Sequence, residues 1–171
     1  FMSCIDSLYY AEGPYDNLPH SHKTYQVLFI VRGILMFHID SVRYMIDKPS
    51  IVFINHRETH TFSHVNKNYC RYVMNILPEQ ARTQISDSDR LLSPFTNRPA
   101  NFSHVLPVEP ISDRLKILLD MLNQERKADD FPPGEATILQ MFLQCLYRFE
   151  PVAFPFNKPT FASTVQQIKQ R

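Results

Sequence analysis

The 171-residue chain holds only three glycines, Gly13, Gly33 and Gly134, and they stand far apart. That spacing excludes a glycine-rich phosphate loop and a Gly-x-Ser-x-Gly nucleophile elbow. Cysteine is as scarce. Cys4, Cys70 and Cys145 are odd in number and form no Cys-x-x-Cys pair, which excludes a disulfide framework and a thiolate metal site. Three buried thiols in a reducing cytoplasm are the expectation. Neither sign of charge dominates: 18 Lys and Arg stand against 17 Asp and Glu, a formal net charge of +1. The chain therefore lacks the global basic field that draws a protein to DNA. No apolar run approaches the ~18 residues of a membrane span, and the first residues have neither the basic nor the apolar region of a signal peptide. Acidic residues such as Asp87, Asp89, Asp129 and Asp130 sit in turn-like or helix-surface contexts rather than as a matched pair in strands. No catalytic constellation emerges, and the expectation is a protein that is not an enzyme.

What the chain does have is a series of short apolar runs between residues 19 and 77. Tyr25 to Arg32 is almost wholly apolar, as a strand buried on both faces would be. Gly33 follows where a hairpin must turn with positive φ. Ile34 to Asp40, Tyr44 to Ile46, Ile51 to Ile54, Thr59 to Val65 and Tyr69 to Leu77 continue the series, each separated by turn residues such as Asp40-Ser41 and Asp47-Lys48-Pro49-Ser50. Strand-length runs at spacings near ~8–12 residues predict an antiparallel sandwich or barrel rather than βαβ units. A further short strand is expected near Ser7 to Ala11, a helical turn near Glu79 to Ile85 and a strand near Ser103 to Val108. Two amphipathic helices follow, Ser112 to Ala128 and Glu135 to Phe149, with Ser112 or Asp113 as the first N-cap and the breaker Asp129-Asp130-Phe131-Pro132-Pro133-Gly134 between them.

The ordering of His20-Ser21-His22, Tyr25-Gln26-Val27, Arg32-Gly33, Tyr44 to Ile46, Pro49 to Ile54 and His60 resembles the cupin barrel. It is most similar to the N-terminal sensor domain of AraC-type transcription regulators. The resemblance implies a mainly β fold with C-terminal α: a cupin-like double-stranded antiparallel β-barrel, or jelly roll, followed by two antiparallel helices. It implies a sensor barrel with an N-terminal arm over residues 1–110, a dimerising helical pair over 111–150, and over 151–171 a linker and the start of a DNA-binding domain. Within that last stretch, residues 151–159 carry three prolines, and Thr164 to Arg171 begins a fresh helical pattern.

The implied function is effector sensing by a cytoplasmic homodimer. A small molecule, on this reading a sugar or similar effector, binds in the barrel, and DNA is contacted only through a C-terminal domain outside this chain. Alternate strand residues share a face, so the candidate ligand-binding residues are His20, His22 and Gln26, with Leu28 and Ile30 beyond them, joined by His60. Tyr72 is the stacking candidate, on the reading that Cys70, Tyr72 and Met74 face the pocket. Arg32 and Arg71 are candidate anchors for a carboxylate or phosphate. Tandem Tyr9 and Tyr10 could serve the arm as a lid; simple alternation turns one inward and one outward. The dimer seam is expected at Leu115, Leu118, Leu122, Ile138 and Phe142.

Two rivals stand beside this reading. Enzymatic cupins bind a divalent metal through His-x-His, a glutamate and a later histidine. His20, His22 and His60 match three of those positions and Gln26, a poor ligand, the fourth, so a metal-dependent cupin enzyme is the alternative to a metal-free, cofactor-free sensor. A plain dimerisation module with a filled barrel is the other. His38, His56, His64 and His104 show no ligand spacing and are expected to be surface or hydrogen-bonding residues.

Overall fold

The computed structural model describes residues 3–13, 18–63, 66, 68–128 and 134–156. Among the described residues, eight strands form two antiparallel sheets: β1 (Ile5–Glu12), β2 (Tyr25–Arg32), β3 (Leu35–Ile39), β4 (Val42–Ile46), β5 (Ser50–Ile54), β6 (His60–Ser63), β7 (Cys70–Ile76) and β8 (Val105–Pro107). One sheet has the order β1-β7-β2-β5-β8 and the other β4-β3-β6. The jelly roll expected from the sequence is the fold. Helices α1 (Pro78–Gln84), α2 (Ser88–Leu91) and α3 (Ser93–Thr96) fill the stretch after β7, and α4 (Ser112–Lys127) and α5 (Glu135–Phe149) close the described chain. The turns follow local chemistry. Gly33 has φ +127°, and a Cβ there would lie 2.8 Å from Tyr69 Cα. Asp40 takes φ 50° in the β3–β4 turn, a left-handed conformation that aspartate tolerates.

The central strands of the large sheet are buried on both faces, which is why β2 reads as an unbroken apolar run. One face, carrying Leu28, Ile30, Val52, Ile54 and Val73, packs on Leu35, Phe37, Ile39 and Phe62 of the small sheet. The other, carrying Tyr25, Val27, Phe29, Ile51, Phe53, Tyr72 and Met74, packs on the helices. The seam expectation fails here. Leu115, Leu122 and Phe142 are fully buried, and Leu118 and Ile138 nearly so, all in this helix–sheet core. A side chain already spent on its own sheet cannot meet a second copy. The expected N-cap also moves: Ile111 is the cap residue, without a side-chain cap bond, and Ser112 is the first helical residue. Cys4 and Cys70 are buried and Cys145 is half-buried, all three unbridged. The expected breaker residues 129–133, His64, and everything past Phe156 lie outside the described residues.

One buried carboxylate ties β1 to the helices. Glu135, at the start of α5 and 2 % exposed, accepts hydrogen bonds from Ser3 Oγ (2.5 Å), Cys4 N (2.8 Å) and Ile5 N (3.1 Å). Arg126 Nη1 donates to its other oxygen at 3.0 Å and to the Ile5 carbonyl at 2.8 Å. Burial, and then the Glu135 charge, push the Cys4 thiol up to about 12. Removing one partner of a largely buried ion pair typically costs ~3–5 kcal/mol. Glu135→Ala is therefore expected to destabilise the domain by about 3 kcal/mol in urea unfolding and to open Cys4 to thiol reagents that leave it unlabelled in the wild type. A loss below about 1 kcal/mol with Cys4 still protected would show that the carboxylate does not hold the arm.

Candidate functional site: an imidazole-lined hollow between the sheets

Parity along the strands decides what faces the space between the two sheets. In the β2–β7 ladder, Gln26 pairs with Asn75, Leu28 with Val73 and Ile30 with Arg71. In the β1–β7 ladder, Ser7 pairs with Asn75 and Tyr9 with Val73. Directly paired residues share a face, so Tyr9, Gln26, Leu28, Arg71, Val73 and Asn75 all point inward. With His20, His22, Phe37, His60, Phe62 and Tyr69 they line a hollow of about 170 Å³. Leu28, Phe37, Phe62 and Val73 supply its apolar lining, and His20, His22, Gln26, His60, Arg71 and Asn75 its nitrogen-bearing lining.

The three histidines arrive from both sheets. His20 and His22 lie on the segment leading into β2, and His60 opens β6. A two-way main-chain bridge joins them, His20 N to His60 O at 3.2 Å and His60 N to His20 O at 2.9 Å. Their ring centroids are 4.4–5.0 Å apart, and one nitrogen from each lies within 4.8 Å of the others. His20 Nδ1 is 2.9 Å from the Leu18 carbonyl and His60 Nδ1 is 3.0 Å from the Glu58 carbonyl. A carbonyl only accepts, so both Nδ1 atoms carry the proton and both Nε2 atoms keep a free lone pair. Burial pushes His60 down to about 4, the two neighbouring histidines adding to the effect against its hydrogen bond to Glu58. Burial, then His20, also lowers His22. Both shifts favour the neutral form of His22 and His60.

Gln26 lies beside the histidines and is buried. Its amide nitrogen is 3.3 Å from His22 Nε2 and 3.1 Å from Asn75 Oδ1. Arg71, 6 % exposed, donates to the Gly13 carbonyl at 2.9 Å and stacks 4.6 Å over the Tyr69 ring. The donor set fits a divalent transition metal in chemistry: three imidazoles, two with their tautomer fixed by main-chain carbonyls.

Two expected residues lie elsewhere. Tyr72 sits on the opposite face of β7, its hydroxyl donating to Asp120 at 2.6 Å and its ring against Phe29 and Tyr10. The parity that turns Val73 inward turns Tyr72 toward α4. Arg32 is exposed at the end of β2, with Nε donating to the Asn68 carbonyl at 3.2 Å; it does not reach the hollow. Of the tandem tyrosines, Tyr9 lines the hollow and Tyr10 lies on the helix side, and both are near half exposed.

A second polar cluster lies behind the site and escaped the sequence reading. Arg98 Nη1 donates to both Glu58 oxygens at 2.7 and 2.6 Å, and Nη2 to the Phe53 carbonyl at 3.0 Å. His104 Nε2 sits 3.0 Å from Glu58 Oε2, and its Nδ1 is 2.7 Å from the Tyr44 hydroxyl. The cluster braces the turn whose carbonyl orients His60. Its residues come from positions 44, 58, 98 and 104 with no spacing pattern, so only the fold brings them together. His104 thus takes the hydrogen-bonding role expected of it, and His56 Nδ1 lies 2.7 Å from Asn55 Oδ1.

Two facing antiparallel sheets around a lined hollow, with a helical pair on the outer face, define a jelly-roll ligand-binding domain. The chain belongs to the AraC-like ligand binding domain family, whose sequence model matches residues 7–141. No curated relative matches the sequence. Among solved structures, apo ToxT from Vibrio cholerae is similar over 96 % of this chain and 63 % of its own, at 11 % identity and TM-score 0.50. The AraC-like transcriptional activator CuxR matches over 81 % of this chain and 46 % of its own, at 10 % identity and TM-score 0.48. A cupin-like protein from Thermotoga maritima covers 42 % of this chain and 57 % of its own, at 17 % identity and TM-score 0.36. The chain thus spans less than two thirds of each of these three.

Burial opposes the Glu58 charge, but hydrogen bonds from His104 and Arg98 outweigh it and hold the carboxyl near about 2, below its usual 4.5. A carboxyl depressed in the folded state contributes stability above its unfolded value, and that stability is lost as pH falls. Unfolding free energy is therefore expected to drop between pH 4.5 and about 2 in the wild type, and the drop should be shallower in Glu58→Gln. Identical acid limbs for the two proteins, measured by urea titration at each pH, would contradict the clamp.

Proposed function

We propose that this chain is the effector-sensing and dimerising part of an AraC-type transcription regulator, non-enzymatic and cytoplasmic. The observation that carries the reading is the hollow between the sheets, roofed by Tyr9 and lined by His20, His22, Gln26, His60, Arg71 and Asn75. A 170 Å³ space with a mixed apolar and polar lining suits a small polar molecule of sugar or short-acid size. Residues 1–110 form the sensing unit on this proposal and 111–150 the dimerising unit. From 151 the chain leads toward a DNA-binding domain beyond the present sequence, and regulation would be a coupling between effector and DNA sites. Among the described residues no helix is long and apolar enough to cross a membrane.

The dimer surface we propose is the outer groove between α4 and α5 rather than the buried leucines. Ile117, Met121 and Met141 are 60 %, 46 % and 45 % exposed. Met141 lines a groove of about 450 Å³ with Ile111, Cys145 and Phe149 and the polar Arg114, Gln144 and Arg148, and Ile117 and Met121 stand on α4 near Arg114. Exposed methionine and isoleucine on two adjacent helices fit a second copy of the same surface about a twofold axis.

Effector binding is tested by thermal shift against sugars and small organic acids. A ligand at a hundredfold its Kd adds ~2.7 kcal/mol. A hit should be weakened about tenfold or more by Gln26→Ala, loss of one good hydrogen bond, and left unchanged by Tyr72→Phe. The opposite pattern, with Tyr72→Phe abolishing binding and Gln26→Ala silent, would move the site out of the hollow.

The dimer is tested by light scattering after gel filtration. Ile117→Asp with Met121→Asp should give a monomer of unchanged secondary structure. A wild type that stays monomeric, or a variant that stays dimeric, would contradict the proposed seam.

A further inference from the structure

The β8 side of the large sheet holds an apolar groove that neither the hollow nor the helical pair accounts for. Its volume is about 550 Å³. Two stretches of chain line it, one through Phe102, Val105 and Leu106 and the other through Val152, Ala153 and Pro155. Val152 is 86 % exposed. β8 stands at the end of its sheet, so its outer edge has no strand partner among the described residues. Contiguous apolar surface of this kind marks an interaction site.

Both stretches are held by their own contacts. Arg98, fixed on Glu58 and on the Phe53 carbonyl, lies 4.7 Å from the centre of the Phe102 ring. Phe53 N donates to the His104 carbonyl at 2.9 Å. On the other stretch, Phe154 is buried against Phe53 and Tyr147, and the Asn97 amide donates to the Pro155 carbonyl. The Arg90 guanidinium sits 5.7 Å from the centre of the Phe156 ring. The groove is preformed, so an occupant does not have to order it first.

Connectivity and charge name the occupant. Pro155 lines the groove, so the chain from residue 157 onward departs beside it. That part of the sequence carries Phe161, Val165 and Ile168, the i, i+4, i+7 spacing by which a helix anchors in an apolar groove. It also carries Lys158, Lys169 and Arg171 and no acidic residue. Glu150 is the one charged residue of the groove lining, and its sign is the opposite one. From Phe156 to Phe161 extended chain reaches up to ~17 Å, enough to turn back. A tether this short gives an effective concentration on the order of mM, so a weak contact suffices. A second copy fits less well, because a twofold pairing of this surface sets Glu150 against its own equivalent.

We propose that this groove is the docking site of residues 157–171, with Phe161, Val165 and Ile168 as the apolar anchors and Glu150 as the partner of the segment's cations. Docking there meets the hollow from behind: Phe102 lies on Arg98, and Arg98 braces the Glu58 turn whose carbonyl orients His60. The proposal does not depend on what the hollow binds, so its failure leaves the sensor reading untouched.

The test is cross-linking within the whole chain. A Cys145→Ser background removes the half-buried thiol, and Cys4 and Cys70 are buried. Val152→Cys with Ile168→Cys is treated with a short bis-maleimide at low protein concentration. Ile34→Cys with Ile168→Cys is the control. Ile34 is 48 % exposed and stands past the end of β2, whereas Phe53, bonded to His104 beside the groove, pairs with Val27 near the strand's start. The Val152 pair should give an intrachain cross-link at about ten times the control yield. Adding Phe161→Asp and Val165→Asp, which leaves every described side chain as it is, should bring the two yields together. Glu150→Gln should lower the Val152 yield about twofold at low salt. Equal yields for the Val152 and Ile34 pairs would overturn the docking site, and so would a Val152 cross-link that joins two chains rather than one. A Val152 yield unmoved by the two aspartates would overturn the anchors, and one unmoved by Glu150→Gln the charge pairing.

Discussion

The two-way main-chain bridge between His20 and His60 is the constraint on which the site depends. It joins the segment entering the large sheet to the first residue of β6 in the small one. Without it the sheets would still pack through Leu28, Phe37 and Phe62, but nothing would register the imidazoles of one against those of the other. Each backbone bond there contributes only about 1 kcal/mol net. The bridge is sustained because both ends are held from behind, His20 through Leu18 and His60 through the braced turn at Glu58. A salt bridge with both side chains largely buried is weak ground for stability as such. Here it fixes the direction in which a neighbouring carbonyl, and so an imidazole, points.

The second organising feature is that the central strands of the large sheet, β2, β5 and β7, are covered on both faces. The sheet's inner face makes the hollow and its outer face receives the helices. β1 belongs to both: Tyr9 lines the hollow, while the chain just before it ends on Glu135 at the head of α5. One edge strand thus touches the candidate effector site and the candidate dimer helices. That arrangement gives a physical route by which occupancy of the hollow could bias the helical pair, through a strand and two hydrogen-bonded anchors rather than through a deformable core.

Strand existence and order were legible in the sequence because apolar runs of strand length alternate with Gly33, Asp40 and Pro49. The bounds of β2 and α5 match the residues expected. Gln26 and Leu28 were legible as one face because alternation within β2 needs no knowledge of neighbours, whereas His20 and His22 lie before β2 and reach the same hollow through the bridge to His60. Tyr72 was misplaced because the facing of β7 relative to β2 depends on register, and a one-residue slip inverts every side chain. The pairing of Val73 with both Leu28 and Tyr9 is a tertiary fact that β7 alone does not carry. The helices failed differently. Their apolar faces are wide enough to serve both a sheet and a partner, and the strongest leucines went to the sheet, leaving isoleucine and methionine outside. The Glu58–Arg98–His104 cluster and the short helices α2 and α3 had no local signature at all.

The claim that the two sheets meet through converging imidazoles is tested most directly by ¹⁵N NMR of the histidine side chains, with ring-to-ring NOEs. The account predicts Nδ1-protonated tautomers for His20 and His60 at neutral pH and NOEs among the rings of His20, His22 and His60. Nε2-protonated tautomers for both residues, or rings showing no mutual NOEs, would contradict it.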